Sequence, residues 1–160
     1  MFLKSEVNKR IEVCNDTILF FRSFFETVLN ENRKSLSDTI FKRAKYVIEE
    51  NARVLKAVHN LENGDIKSLG ELLYETHYGL KNDYEVSCQE LDFLVSFTEN
   101  IPEVAGARMM GGGFGGCAIN IVHKDKVEEL IENVSAAYEE KHNIKLSSII
   151  TTISDGVKRI

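Results

Sequence analysis

The chain has 160 residues, a length that fits a single domain or one half of a two-domain protein. Apolar residues make up 43% of the sequence and charged residues 28%, and acidic residues outnumber basic ones 25 to 20, for a net charge of −5. That balance argues against a general nucleic-acid binder, which needs a basic face to displace counterions from phosphate. The longest charge-free stretch is too short and too glycine-rich to cross a bilayer.

The N-terminus and the cysteines indicate the cellular setting. Charged residues, among them Lys4 and Glu6, stand where a secretory signal would need an apolar run. The cysteines are odd in number and widely spaced, which indicates neither a disulfide framework nor a CxxC metal site. They are Cys14, Cys88 and Cys117. We therefore expect a protein of the reducing cytoplasm, with neither a membrane nor a nucleic acid as partner.

The first 100 residues are predicted to be mainly helical. Apolar residues of the first helix recur at alternating steps of four and three, which lines one helix face. This stripe consists of Val7, Ile11, Cys14, Ile18, Phe21, Phe25 and Val28. Ser35 with Asp38 predicts a capping box before a second helix. The side chains expected on its buried side are Ile40, Ala44, Val47, Ile48, Leu55 and Val58.

Two shorter helices follow. Asp65, after an Asn-Gly turn, is a natural N-cap for the third helix. The inward residues of this helix are expected to be Ile66, Leu69, Leu72 and Leu73. Ser87 and Glu90 predict another capping box, before a fourth helix that Pro102 would stop.

After residue 100 the pattern changes to strands. Residues 104–110 and 117–122 are predicted strands, residues 125–138 return to helical spacing, and residues 146–153 are rich in β-branched side chains and predict a last strand. We predict an α+β fold in one domain, residues 1–160, in which helices cover a small and largely antiparallel sheet. Residues 1–100 form its helical part, and residues 101–160 run strand, loop, strand, helix, strand.

The loop between the two predicted strands is the strongest local signal. It holds five of the ten glycines. Its residues are Gly111, Gly112, Gly113, Phe114, Gly115 and Gly116. Glycines at positive φ let successive N–H groups line an anion-binding concavity. The GxGxxG match fails because a strand rather than a helix follows, and no Lys-Ser/Thr completes a P-loop. The residues alone leave a ligand-facing loop and a hairpin shaped only for packing equally open.

Other polar residues have ordinary explanations. None of the four histidines has the spacing of metal ligands. His77 is expected to have a structural role, and the alternative is that it supports a nearby functional site. Arg108 could meet a phosphate or pair with an acid such as Glu103. Ser87 is expected to be an N-cap rather than a nucleophile, and Cys117 a small core residue in a buried strand. The residues alone assign no general base, nucleophile or metal site.

Four stretches together resemble the C-terminal half of the galactokinases, which belong to the GHMP small-molecule kinases. They are DYEVSCQELD at 83–92, GARMMGGGFGGC at 106–117, SEVNKR at 5–10 and SDG at 154–156. The second is similar to the third sequence motif of that superfamily. The resemblance implies its C-terminal domain, a ferredoxin-like antiparallel sheet with additional helices.

The resemblance also implies a reaction: transfer of the ATP γ-phosphoryl group to the anomeric hydroxyl of D-galactose, with Mg²⁺. The catalytic aspartate, the arginine and the ATP loop of that family lie in the N-terminal half, so we expect no catalytic residue and no bound cofactor in this chain alone. The loop Gly111–Gly116 would help to shape the sugar-phosphate site. Arg108, Tyr84, Glu85 and His77 are candidates to support it.

Three functions remain open at this stage. The first is the C-terminal domain of a galactokinase-like kinase, inactive alone, whose Phe-rich face and glycine loop are exposed where the N-terminal half docks. Such a face should promote self-association. The second is a binding or regulatory module derived from the family. The third is a kinase for another sugar, indicated by Val7 at the position where the family places a tyrosine near the sugar.

Overall fold

The computed structural model describes residues 23–152, and it has a helical front followed by a hairpin and one more helix. Residues 23–31 are helical and form the described part of α1. The elements after it are α2 (Asp38–Glu62), α3 (Ile66–Gly79), a π-helical turn (Leu80–Tyr84), α4 (Gln89–Thr98), β1 (Val104–Met110), β2 (Cys117–Val122) and α5 (Val127–His142). This is the predicted α+β class. Val7, the motifs at 5–10 and 154–156, and most of the first apolar stripe lie outside the described residues.

Side-chain oxygens cap the starts of α2 and α3. Asp65 caps α3 as predicted, since its carboxylate accepts the backbone N–H of Ser68 at 3.0 Å. The cap predicted for α2 at Ser35 is wrong. Residues 33–35 form a 3₁₀ turn, and α2 begins two residues later with Ser37, whose Oγ accepts the N–H of Ile40 at 3.3 Å. None of the helices within residues 23–152 is long and apolar enough to span a membrane.

β1 and β2 form an antiparallel hairpin, with Met110 paired to Cys117 at the loop end and Val104 paired to Val122 at the other. β1 is the buried strand, because α3 and α4 pack against it. β2 is largely exposed, so the prediction that Cys117 is a buried core residue is wrong. The reason is that α3 and α4 pack mainly against β1, which leaves the side chains of β2 with little helix cover among the described residues.

A pair of glycines brings α3 and β1 into backbone contact. A Cβ on Gly70 would lie 1.7 Å from the carbonyl oxygen of Ala105, and a Cβ on Gly106 would lie 2.3 Å from the carbonyl oxygen of Gly70. No side chain fits between these two backbones. Glycine at both positions therefore sets the spacing of α3 from the strand that leads into the glycine loop.

The outer side of α2 is apolar and exposed, which corrects the predicted burial. α2 buries Tyr46 and Ala52 instead of the side predicted from its periodicity, because α3 packs on that other side. We call the exposed apolar side chains of the two first helices, each 37–56% accessible, the α1–α2 apolar surface. Its members are Phe24, Phe25, Val28, Ile40, Val47, Val54, Val58 and Leu61.

Two further predictions of packing differ from the structure. In α3, Leu69 and Leu72 are buried as expected, but Ile66 in the first turn is 42% exposed. Residues 146–152 form no strand, and Ile149 is 93% exposed. β-branched residues favour an extended chain, but a strand also needs a hydrogen-bonded neighbour, and within residues 23–152 this segment has none.

Candidate functional site

The loop Gly111–Gly116 takes a backbone conformation that few residues adopt. Five of its six positions have positive φ, with values of 86° at Gly111, 85° at Gly113, 59° at Phe114, 127° at Gly115 and 98° at Gly116. Glycine takes these angles without a steric penalty, whereas a residue with a Cβ is strained there. Phe114 takes one of them and leaves its ring 78% exposed. The four glycines at positive φ are therefore required by the shape of the loop, whereas Gly112 is not.

One side of the loop is packed and the rest is open. The N–H of Phe114 donates to the carbonyl oxygen of Val86 at 2.7 Å, and a Cβ on Gly113 would lie 2.1 Å from the same oxygen. By contrast, a Cβ on Gly111, Gly112 or Gly115 would meet nothing within 4 Å. Packing thus explains Gly113, whereas the other three glycines border open space that a ligand can enter.

The anchor of the loop, Val86, follows a strained turn that is tied to α2. The π-helical turn ends at Glu85, which has a φ of 62°, and the N–H of Val86 donates to the carbonyl of Leu80 at 3.0 Å. The Glu85 carboxylate lies 3.3 Å from Lys42 Nζ and 3.5 Å from Arg43 of α2. Glu85 therefore stands one residue before the anchor and joins it to α2.

Tyr84, the other candidate of this segment, packs rather than points at the loop. Its ring centroid lies 5.6 Å from that of Tyr46 in α2, and the Arg43 guanidinium lies 5.9 Å above it. The burial of Tyr46, together with the neighbouring Glu50 carboxylate, raises its pKa to about 12. Both tyrosines thus serve as packing between α2 and the turn before Val86.

His77 links the helices to the strand before the loop. Its ring is 1% exposed, its Nδ1 accepts the backbone N–H of Met109 at 3.3 Å, and its Nε2 faces Asp92 Oδ1 at 3.4 Å. Asp92 also accepts the Ser87 hydroxyl at 2.6 Å and lies 3.0 Å from Lys81 Nζ. Burial lowers the pKa of His77, opposed by the charge of Asp92, so the ring is neutral at physiological pH.

Ser87, Asp92 and His77 are the residue types of a hydrolytic triad, but their geometry excludes that role. The Ser87 hydroxyl donates to the carboxylate and not to the imidazole, and the Met109 N–H occupies the acceptor nitrogen of His77. The imidazole therefore cannot act as the general base that a hydrolytic triad requires. The predicted capping role of Ser87 is also wrong: α4 begins after Cys88, without a side-chain cap, because the Ser87 hydroxyl is used by Asp92.

Arg108 points to α2 and not to the predicted partner Glu103. Its guanidinium lies 3.9 Å from Glu50, which also accepts from Arg53 Nε at 2.7 Å and from the Thr76 hydroxyl at 3.0 Å. The Arg108 side chain is 34% exposed. It therefore belongs to a polar cluster between α2, α3 and β1, three residues before the glycine loop begins.

Two other features lie away from the loop. An open cavity of about 1260 Å³ is found at the opposite end of the hairpin, where Val104 and Val122 line it together with Ile66 and Tyr74. In the part of the chain that the structure describes, no group of three or more His, Cys, Asp or Glu side chains could hold a metal ion. The described site is thus the glycine loop with its anchors.

Known proteins are similar to this chain over the region that contains the loop. A family model described as "GHMP kinases C terminal" matches residues 57–140, which include the loop, Val86, His77 and Asp92. The chain is 44% identical to the galactokinase of Thermotoga neapolitana over 158 residues, 98% of this chain and 45% of that protein. It is 44% identical to the galactokinase of Clostridium acetobutylicum over 136 residues, 84% of this chain and 35% of that protein.

A solved structure is similar as well. The crystal structure of Lactococcus lactis galactokinase complexed with galactose superposes with a TM-score of 0.70 at 38% identity, covering 74% of this chain and 31% of that one. The chain spans a little under half the length, 45%, of the Thermotoga relatives that it matches.

Proposed function

The chain belongs to the GHMP kinase family, whose C-terminal domain it matches, and from this membership we propose that it contributes the C-terminal part of a galactokinase-type sugar kinase. The proposed enzyme is cytoplasmic and transfers the γ-phosphoryl group of ATP to D-galactose, giving ADP and galactose 1-phosphate. The observation that carries the proposal is the open glycine loop, which lies inside the matched region. The likeness of the chain to a galactokinase whose structure was solved with galactose supports the choice of sugar.

The role proposed for the chain is to shape the phosphate side of the site. Successive backbone N–H groups can converge on one anion where the sign of φ alternates, as it does from Gly111 through Gly113, and the space beside Gly111, Gly112 and Gly115 leaves room for the anion. Mg²⁺-bound ATP supplies the phosphoryl group in such a reaction, and the protein contributes positioning and charge stabilisation. We assign no catalytic residue to residues 23–152; the catalytic aspartate, arginine and ATP loop would come from the N-terminal half.

The chain alone should therefore be inactive. With Mg²⁺-ATP and galactose, the purified chain at high concentration should release no ADP above a control without sugar. Galactose-dependent release that persists after removal of any contaminating host kinase would place the catalytic groups in this chain. Release from ATP without any sugar dependence would contradict a sugar kinase.

The α1–α2 apolar surface is the proposed docking face for the N-terminal half, and in its absence it should drive self-association. Val54→Glu places a charge in this surface, where Val54 is 54% exposed, and should reduce the apparent mass measured by light scattering. Gln89→Glu adds the same charge at an exposed position in the first turn of α4, outside the α1–α2 apolar surface, and should leave the mass unchanged. Equal effects of the two variants, or no self-association of the unmodified chain, would contradict this docking face.

One observation favours a second candidate, a kinase of the same family with another sugar acceptor. Residue 7 is a valine, and the resemblance of residues 5–10 to the galactokinases implies a tyrosine near the sugar at this position. A panel of acceptor sugars that includes N-acetylated hexosamines distinguishes the two. Preference for galactose supports the first proposal, and preference for another sugar supports the second.

A further inference from the structure

We propose that His77 is a positioning residue that fixes the glycine loop by holding the end of β1 with one neutral tautomer. The loop leaves β1 after Met110, and the N–H that His77 Nδ1 accepts belongs to Met109. The imidazole thereby holds the last residues of β1 before Gly111. The structural part of this proposal is independent of the loop's ligand; its consequence for catalysis rests on the function proposed above.

The contacts of the ring decide its tautomer. The backbone N–H of Met109 is a donor, so Nδ1 must be unprotonated to accept it at 3.3 Å. The ring proton then sits on Nε2, which faces the Asp92 carboxylate at 3.4 Å. With 1% of the side chain exposed, water does not replace either partner. Each ring nitrogen therefore has one protein partner and one role.

The same short segment holds the loop at a second point. The carbonyl of Val86 accepts the N–H of Phe114 near the tip of the loop. Six residues later, Asp92 contacts His77, which holds the base of the loop. The hydroxyl of Ser87 donates to Asp92 at 2.6 Å and closes the segment onto the first turns of α4. Residues 86–92 thus hold the loop at two points: directly through the Val86 carbonyl, and indirectly through Asp92 and the imidazole of His77.

Burial keeps the ring neutral over the physiological range. It is the main cause of the lowered pKa of His77, and Lys81 of the π-helical turn adds to the lowering. The carboxylates of Asp92 in α4 and of Glu99, directly after α4, act in the opposite direction. Protonation of Nδ1 in acid would place two donors against each other at Met109. The hydrogen bond from Met109 to His77 at the base of the loop therefore depends on the neutral imidazole.

Two amide variants separate the two ring nitrogens. In His77→Asn, the amide oxygen can take the place of Nδ1 and still accept the Met109 N–H, but nothing replaces Nε2. In His77→Gln, the longer side chain can reach Asp92 with its NH₂, but it offers no acceptor at the position of Nδ1. His123→Gln is the matched control, because His123 is 62% exposed and follows β2.

The experiment is amide hydrogen exchange by NMR on the full 160-residue chain. We expect His77→Gln to speed exchange at Met109 and along Gly111–Phe114 about tenfold, since one buried hydrogen bond is lost, and His77→Asn to stay within about twofold of the unmodified chain. The control should change nothing. Equal acceleration by both His77 variants, or by neither, would overturn the proposal.

A second measurement needs no variant. Long-range ¹H–¹⁵N correlation of the imidazole in the unmodified chain reports which ring nitrogen carries the proton. The proposal requires a proton on Nε2 and an unprotonated Nδ1, and a proton on Nδ1 at neutral pH would overturn it. Because neither readout uses sugar or nucleotide, failure of the proposed kinase function and failure of this positioning role give different results.

Discussion

Gly113→Val should abolish sugar-dependent ADP release by an enzyme in which this chain is joined to the N-terminal half of the Thermotoga neapolitana galactokinase. The φ of Gly113 is 85°, and a Cβ there would lie 2.1 Å from the Val86 carbonyl oxygen and 2.8 Å from the Val86 Cβ. Valine must therefore push the loop from its anchor, and the hydrogen bond from Phe114 to Val86 breaks with it.

The expected loss of activity is about 100-fold or more, because a shift of roughly an ångström in a positioning group has effects of this size. Gly112→Ala is the matched control: it has no positive φ, a Cβ there meets nothing within 4 Å, and it should keep most of the activity. Arg108→Ala and Glu85→Ala should cost less than Gly113→Val, since both side chains pair with groups of α2. Full activity of a folded Gly113→Val enzyme would show that the reaction does not use the loop.

Gly70→Ala should be the most destabilising single substitution considered for this chain. The added Cβ would lie 1.7 Å from the Ala105 carbonyl oxygen and 2.3 Å from its carbon, and both atoms belong to the backbone of β1. Neither can rotate away, so α3 must separate from the strand. We expect a loss of about 3 kcal/mol or more in the free energy of unfolding, at the upper end for overpacked cores.

Urea unfolding of the two alanine variants measures this effect. Gly112→Ala adds the same methyl group in open space and should change the free energy of unfolding by less than about 0.5 kcal/mol. Near-equal stability of the two variants would contradict the backbone contact between Gly70 and β1. Failure of Gly70→Ala alone to accumulate as folded protein would agree with it.

Local signals predicted the hairpin well. Five glycines in six residues between two apolar runs leave little choice of turn, and β1 and β2 begin and end where the sequence indicates. The cap at Asp65 was equally predictable, because an Asn-Gly turn precedes it and its partner Ser68 is three residues away. These features depend on neighbours in sequence, which patterns describe directly.

The contacts that support the loop could not be predicted in the same way. Arg108 pairs with Glu50, 58 positions earlier, and His77 meets Met109 across 32 positions. Such pairs depend on how α2 and α3 lie against β1, which no local pattern encodes. For α2, periodicity identified an apolar side but not which side is covered, and the structure buries Tyr46 instead. Only the position of His77 beside the DYEVS segment pointed toward its role.

The most direct test of the account is galactose-dependent ADP release by the joined enzyme, compared with each half alone. We expect release with Mg²⁺-ATP and galactose from the joined enzyme only, because this chain supplies the loop that shapes the phosphate site and the other half supplies the catalytic groups. A folded joined enzyme that binds ATP but releases no ADP with galactose or any other sugar would contradict the account.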